Sequence, residues 1–181
     1  MAQGRGTAFS APAEPYQASR FESGQQHHAN SGGHVPGQRA ASCVVIRPNP
    51  LDDEQGLTRT TGVSRDTVGS EALCMRLVML PPGTRGTPHA HVGHESAIWV
   101  AMGEAEIWHG PGLCGRTVVH AGDFLYIPPG TPHLPVNRSE TRMMVAVMAR
   151  TDPAERESVA LVDLPPHLDG LFSVPVATGR G

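Results

Sequence analysis

The sequence contains no lysine, and each of its 14 basic residues is an arginine. Against 17 acidic residues this gives a formal net charge of -3, and the arginines form no basic run. The charge pattern of a nucleic-acid or membrane partner is therefore missing. No stretch approaches the roughly 20 apolar residues of a membrane helix, and the first residues lack the features of a secretion leader. We therefore predict a soluble, cytoplasmic protein without nucleic-acid or membrane partners.

Cysteine is also scarce, and its three copies, Cys43, Cys74 and Cys114, are widely spaced. An odd number without a close pair argues against a disulfide framework and against the C-x-x-C pairs of zinc and redox sites. The chain has 181 residues, which is enough to bury a hydrophobic core without disulfides. This length favours one domain with flanking tails.

Large aliphatic residues are almost missing from residues 1–41, which mix Gly, Ser, Ala, Gln, Pro and His. Such a segment buries too little apolar surface to offset the entropy of ordering, so we predict a disordered N-terminal arm. The apolar runs that follow place the folded domain at residues 42–165. Residues 166–181 are predicted to form a C-terminal tail.

Short apolar runs separated by Pro- and Gly-rich turns fill the predicted domain, and helical periodicity is not sustained. Runs of this length, rich in Val, Ile and aromatic residues, are typical of strands in an all-β sandwich or small barrel. Eight runs predict strands, at residues 43–46, 73–80, 96–102, 105–108, 117–120, 124–127, 143–149 and 158–164. Arg76 interrupts the second run. We predict that it faces solvent, although an inward arginine would suit a substrate carboxylate.

A dense group of potential metal ligands, PHAHVGHE, occupies residues 88–95. Residues 89, 91 and 95 share a parity, so they project to one face if the chain stays extended, whereas His94 points to the other face. An ionised glutamate inside a barrel is costly without a cation. Imidazoles with a carboxylate suit Fe, Mn, Ni, Co, Cu or Zn. Three converging side chains therefore favour a metal site over histidines that only bond to backbone.

The spacing Gly83-x5-His89-x-His91-x3-Glu95 resembles the first motif of the cupin superfamily. In that motif six residues separate the glutamate from a following glycine, whereas seven separate Glu95 from Gly103. The extra residue leaves open whether Glu95 or Ser96 occupies the ligand position. We choose Glu95, with His94 as an outside candidate.

The second cupin motif is matched at every fixed position by GDFLYIPPGTPHLPVN, which spans residues 122–137. The resemblance implies a double-stranded β-helix, or jelly-roll, barrel. It also implies one divalent transition metal ion per chain, held by His89, His91, Glu95 and His133. Such a ligand set leaves two neighbouring positions of an octahedral ion open to water, dioxygen or substrate.

Two aromatic residues near the motifs are candidate catalytic residues. Tyr126 would provide a hydroxyl as hydrogen-bond donor or proton shuttle. Trp99 shares the parity of Glu95 and would shape a cavity, with ordinary core packing as the alternative.

Cupins have many activities, so the fold does not decide the function. We predict a metal-dependent enzyme that acts on a small organic metabolite, in the first place a mononuclear non-haem oxygenase. The alternatives are a metal-assisted isomerase, epimerase or cyclase and a non-catalytic sensor of a small molecule or metal. The resemblance further implies a homodimer that pairs through terminal strands near residues 43–47 or 158–164.

Overall fold

The computed structural model of the chain describes residues 36–40, 42–47, 52–54, 57–154 and 159–169. The predicted disordered arm lies outside the described residues except for residues 36–40, and the predicted C-terminal tail lies outside them beyond residue 169. No helix in the described ranges is both long and apolar enough to cross a membrane.

The described residues form an all-β structure of two antiparallel sheets, as predicted. The six-stranded sheet has the order β1-β2-β3-β10-β5-β8, and the five-stranded sheet has the order β11-β4-β9-β6-β7. The strands are β1 (Asp52–Glu54), β2 (Leu57–Val63), β3 (Cys74–Leu80), β4 (His89–His91), β5 (Ser96–Met102), β6 (Glu104–His109), β7 (Gly115–His120), β8 (Phe124–Ile127), β9 (His133–Val136), β10 (Met144–Arg150) and β11 (Val159–Leu161). Two short helices, α1 (Arg65–Val68) and α2 (Pro166–Asp169), and a 3₁₀ turn at Pro111–Leu113 complete the described elements.

Seven of the eight apolar runs coincide with strands of the structure. The run at residues 43–46 is the exception, because it lies among the described residues and forms no strand. Four strands escape the prediction: β1 is wholly acidic, and threonine, histidine and proline interrupt the apolar pattern of β2, β4 and β9. Pairing with apolar neighbours, rather than their own hydrophobicity, places these segments in the sheets.

The main core lies between the two sheets. On β3 and β10 the even-numbered residues face inward, so that Val78, Leu80 and Met148 pack against Ile107 of the opposite sheet. Burial of one such side chain contributes roughly 1.5–3 kcal/mol to the free energy of unfolding. The core between the two sheets is therefore mostly apolar.

A second cluster covers the outer face of the five-stranded sheet. Leu134 and Val136 of β9 pack there with Leu113 and with Leu168 of α2. Leu168 is fully buried, so the folded body continues past residue 165 into α2. Because this cluster packs against β9 from outside, it helps to hold His133, the first residue of that strand, in its interior-facing position.

Candidate metal centre

Three histidines of the five-stranded sheet meet inside the barrel. His89 and His91 lie on β4, and His133 opens β9, where it is the register partner of His89. Their exposed fractions are 2, 4 and 5 %. The candidate ligand nitrogens of the three rings lie within 4.8 Å of one another. The structure thus brings together three of the four ligands that the sequence predicts.

Backbone carbonyls fix the orientation of two of these rings. His89 Nδ1 lies 2.7 Å from the carbonyl oxygen of Thr87, and His133 Nδ1 lies 2.9 Å from that of Thr131. Because a carbonyl only accepts, each Nδ1 carries the proton and donates it, which leaves Nε2 with a free lone pair. Metal-binding histidines are commonly oriented by such a second hydrogen bond.

The environment keeps all three imidazoles neutral at physiological pH. Burial, reinforced by the neighbouring His133, lowers the pKa of His89 from 6.5 to about 2. Burial and then the Arg150 guanidinium lower the pKa of His91 to about 4. Burial likewise lowers the pKa of His133 to about 4. Neutral imidazole is the form that binds a metal, so the three donors fit a divalent first-row transition metal ion.

The first motif departs from the predicted geometry after His91. Strand β4 ends there, and a turn at Val92–Gly93 follows, with the glycine at φ +79°. The assumption of an extended chain is therefore wrong, and the turn reverses the expected parity. Ser96 faces the interior and is 1 % exposed, whereas the Glu95 side chain is exposed. The structure leaves Glu95 outside the histidine group, so its geometry does not support the predicted role as a fourth ligand, which a Glu95→Gln variant would test.

A cavity of about 60 Å³ opens beside the three histidines. This volume has room for roughly four to six water-sized groups. Among its described lining residues, only Arg59 and Ser96 add polar side chains to those of the histidines. The other walls are apolar and include Ile98, Val100 and Met148. The site therefore combines a small polar end with an apolar chamber.

Residues 76–149 match the model of the Cupin_2 family, described as a cupin domain. The chain contains a cupin domain. Among solved structures, a point mutant of Bacillus subtilis oxalate decarboxylase is 21 % identical, with a TM-score of 0.52 over 62 % of this chain and 29 % of that chain. A Cupin 2 conserved barrel domain protein from Salinispora arenicola is 24 % identical, with a TM-score of 0.52 over 61 % of this chain and 91 % of that chain.

A conserved protein with a double-stranded β-helix domain from Klebsiella pneumoniae is also similar, at 19 % identity and a TM-score of 0.51 over 62 % of this chain and 90 % of that chain. No curated protein matches the sequence. The aligned part of this chain spans less than a third of the decarboxylase chain, in which Mn(II) centres are known. At these identities the likeness shows the fold, and it confirms the predicted double-stranded β-helix.

The remaining predicted site residues of the cupin domain lie away from the cavity. The Tyr126 hydroxyl donates a 2.8 Å hydrogen bond to Glu95 on the exposed side, and this bond raises the pKa of Tyr126. His94 Nε2 lies 3.1 Å from a carboxylate oxygen of Asp152, outside the histidine group. Trp99 is 41 % exposed, because the even-numbered residues of β5 face inward. The expected parity of Trp99 is thus reversed, and it does not shape the cavity.

Three buried arginines on the inner face of the six-stranded sheet escape the sequence prediction. Arg59 lies on β2, Arg76 on β3 and Arg150 on β10, and together with Ser96 on β5 they form what we call the polar stripe. The prediction that Arg76 faces solvent is wrong, because it shares the inward parity of its apolar neighbours on β3. Burial and the nearby Arg76 lower the pKa of Arg150 to about 10. Parity along β3 and β10 is the sequence feature that could have revealed Arg76 and Arg150.

Proposed function

We propose that this cupin is a metal-dependent enzyme that acts on a small organic metabolite. The observation that carries the proposal is the group of three neutral imidazoles that opens on a mostly apolar cavity. The Nε2 atoms of His89 and His133, with a ring nitrogen of His91, would hold one divalent transition metal ion per chain. A structural zinc site usually closes a tetrahedron that includes cysteine. Three histidine ligands instead leave positions for a substrate.

The first reaction that we propose is that of a mononuclear non-haem oxygenase. A transition metal ion bound here would supply Lewis-acid or redox chemistry to a ligand in its open positions. The chain's own residues would orient that ion through the carbonyl-bonded histidines and exclude bulk water through the apolar walls. Metal use by a similar fold, in the Mn(II)-containing oxalate decarboxylase, supports the cofactor but not a particular reaction.

Metal analysis of the purified chain tests the cofactor. We expect about one transition metal ion per chain. Removing the metal with a chelator should lower the unfolding temperature, and adding the metal again should restore it, because an ion that binds only the native state stabilises that state. Tyr126→Phe is the matched control and should behave as wild type, since Tyr126 lies outside the cavity. A wild-type chain that takes up no metal and shows no shift with any of the six candidate ions would contradict the proposal.

Oxygen dependence separates the proposed reactions. Candidate metabolites are screened with metal-loaded protein in air and under anaerobic conditions. An oxygenase consumes dioxygen with turnover and stops without it, whereas an isomerase, epimerase or cyclase continues. Metabolite binding without turnover in either condition would favour the sensor alternative.

Two further predictions accompany this proposal. The homodimer implied by the resemblance is checked by light scattering, which would give twice the chain mass of 19.2 kDa. The cytoplasmic location is checked by fractionation of cells that express the native gene.

A further inference from the structure

Ser96 is a buried polar residue that points into the cavity. It is 1 % exposed and lines the cavity beside the histidines. Its Oγ has no hydrogen-bond partner among the described residues. Leaving a buried hydroxyl unsatisfied destabilises the native state. The position of this hydroxyl therefore indicates a polar ligand group within the cavity.

Arg59 gives the same cavity a positive charge. Its side chain lines the cavity, and its charge contributes to the lowered pKa of each of the three histidines. Arg76 and Arg150, the other arginines of the polar stripe, also act on the pKa of His91. Among the described lining residues there is no aspartate or glutamate. Arg59 therefore places a guanidinium at the polar end of the cavity, and a bound divalent ion would add further positive charge there.

We propose that the cavity binds the carboxylate of a small organic acid, with Arg59 as its anchor and Ser96 as a second hydrogen-bond donor. A guanidinium offers a planar pair of donors that matches a carboxylate. The apolar walls suit a short hydrocarbon body, and the volume of about 60 Å³ excludes a bulky one. This inference rests on the proposed function only where the acid is taken to be the substrate, because carboxylate binding itself requires no turnover.

A matched pair of probes tests the charge requirement. Calorimetric titration of the full chain, with and without added Mn²⁺, compares propionate with propionamide, which has nearly the same shape but no charge. We expect propionate to bind at least about 10-fold more tightly, as charge-assisted hydrogen bonds generally do. Equal affinities for the two probes would overturn the inference.

Variants then assign the binding to residues. Arg59→Gln should weaken propionate binding about 10-fold or more, Arg59→Lys should weaken it less, and Ser96→Ala should weaken it a few-fold. Arg142→Gln is the control, because Arg142 is a surface arginine with a side chain 70 % exposed. Wild-type propionate affinity in both Arg59→Gln and Ser96→Ala would overturn the assignment. If circular dichroism shows that Arg59→Gln is unfolded, the affinity of Ser96→Ala and the comparison of the two probes decide whether the carboxylate site exists.

Metal content is measured on the same samples. A chain that takes up no added metal and still binds propionate would support the carboxylate site while contradicting the proposed metal function. A chain that binds metal but does not distinguish propionate from propionamide would support the proposed metal function and contradict the carboxylate site.

Discussion

The two motif segments of the cupin domain begin alike and end differently. In both, a histidine on the inner face of the five-stranded sheet donates from Nδ1 to the carbonyl two residues upstream, at Thr87 for His89 and at Thr131 for His133. The second segment continues as strand β9. The first turns after His91 and sends the next charged side chain, Glu95, to the exposed side.

This difference shows which positions a motif determines. A histidine inside a paired strand is fixed by the strand register and by its own backbone hydrogen bond. A residue beyond a turn is not fixed in this way, because one extra residue moves every following side chain to the other face. The first segment therefore has a hydroxyl, that of Ser96, where the motif would have a carboxylate.

The largest effect is expected from His89→Ala and His133→Ala, which test whether the two segments are equivalent. Each variant removes one of three ligands, so each should lower metal affinity by more than about 100-fold, since the loss of even an outer partner costs about 10- to 100-fold. Competition with a metal-sensitive chelator measures the affinities. A large loss of metal affinity in only one variant would show that the two segments are not equivalent. Normal metal affinity in both variants would contradict the proposed metal centre.

The sequence predicts the barrel and the histidine group well, because alternation along strands and the spacing of the second motif are local properties. His133 lies where its motif places it, and β3, β5 and β10 match their apolar runs. The sequence prediction places Arg76 and Trp99 on the wrong faces, because parity is relative until one residue of a strand is known to be buried. Arg59 lies on a threonine-rich strand with no apolar pattern to indicate a core. Such residues become visible only when the strands are paired.

Acid should destabilise the metal-free protein through the same histidines. In the unfolded chain they protonate near pH 6.5, whereas in the native state His91 and His133 protonate near pH 4 and His89 near pH 2. Below pH 6.5 the unfolded state therefore binds more protons, so the free energy of unfolding falls as the pH drops, by at most about 1.4 kcal/mol per pH unit for each histidine. Urea denaturation between pH 7 and 5 measures this slope. A flat profile would contradict the lowered pKa values of the histidines. His133→Ala should reduce the slope by about a third if the three histidines contribute alike.

Ser96→Glu tests the difference between the segments directly. The new carboxylate would face the histidines, so metal affinity should rise by about 10-fold or more, while the metal-free variant should unfold more readily because it buries a charge. Glu95→Gln, one residue away, should keep wild-type affinity within a few-fold. The opposite result, with a loss of metal in Glu95→Gln and no gain in Ser96→Glu, would show that Glu95 is a ligand after all.

The smallest effect concerns the hydrogen bond between Tyr126 and Glu95, which lies on the exposed side of the barrel. The hydrogen bond to Glu95 raises the pKa of Tyr126 above its ordinary value of 10.0, so Glu95→Gln should shift that pKa back towards 10. The chain has two tyrosines, and ultraviolet titration of wild type, Glu95→Gln and Tyr126→Phe isolates the signal of Tyr126 by subtraction. If adding metal to the wild type lowers the pKa of Tyr126 by the same amount as Glu95→Gln does, the carboxylate leaves Tyr126 when the ion binds. An unchanged pKa on metal addition means that the carboxylate stays outside the barrel and that the histidines bind the ion without it.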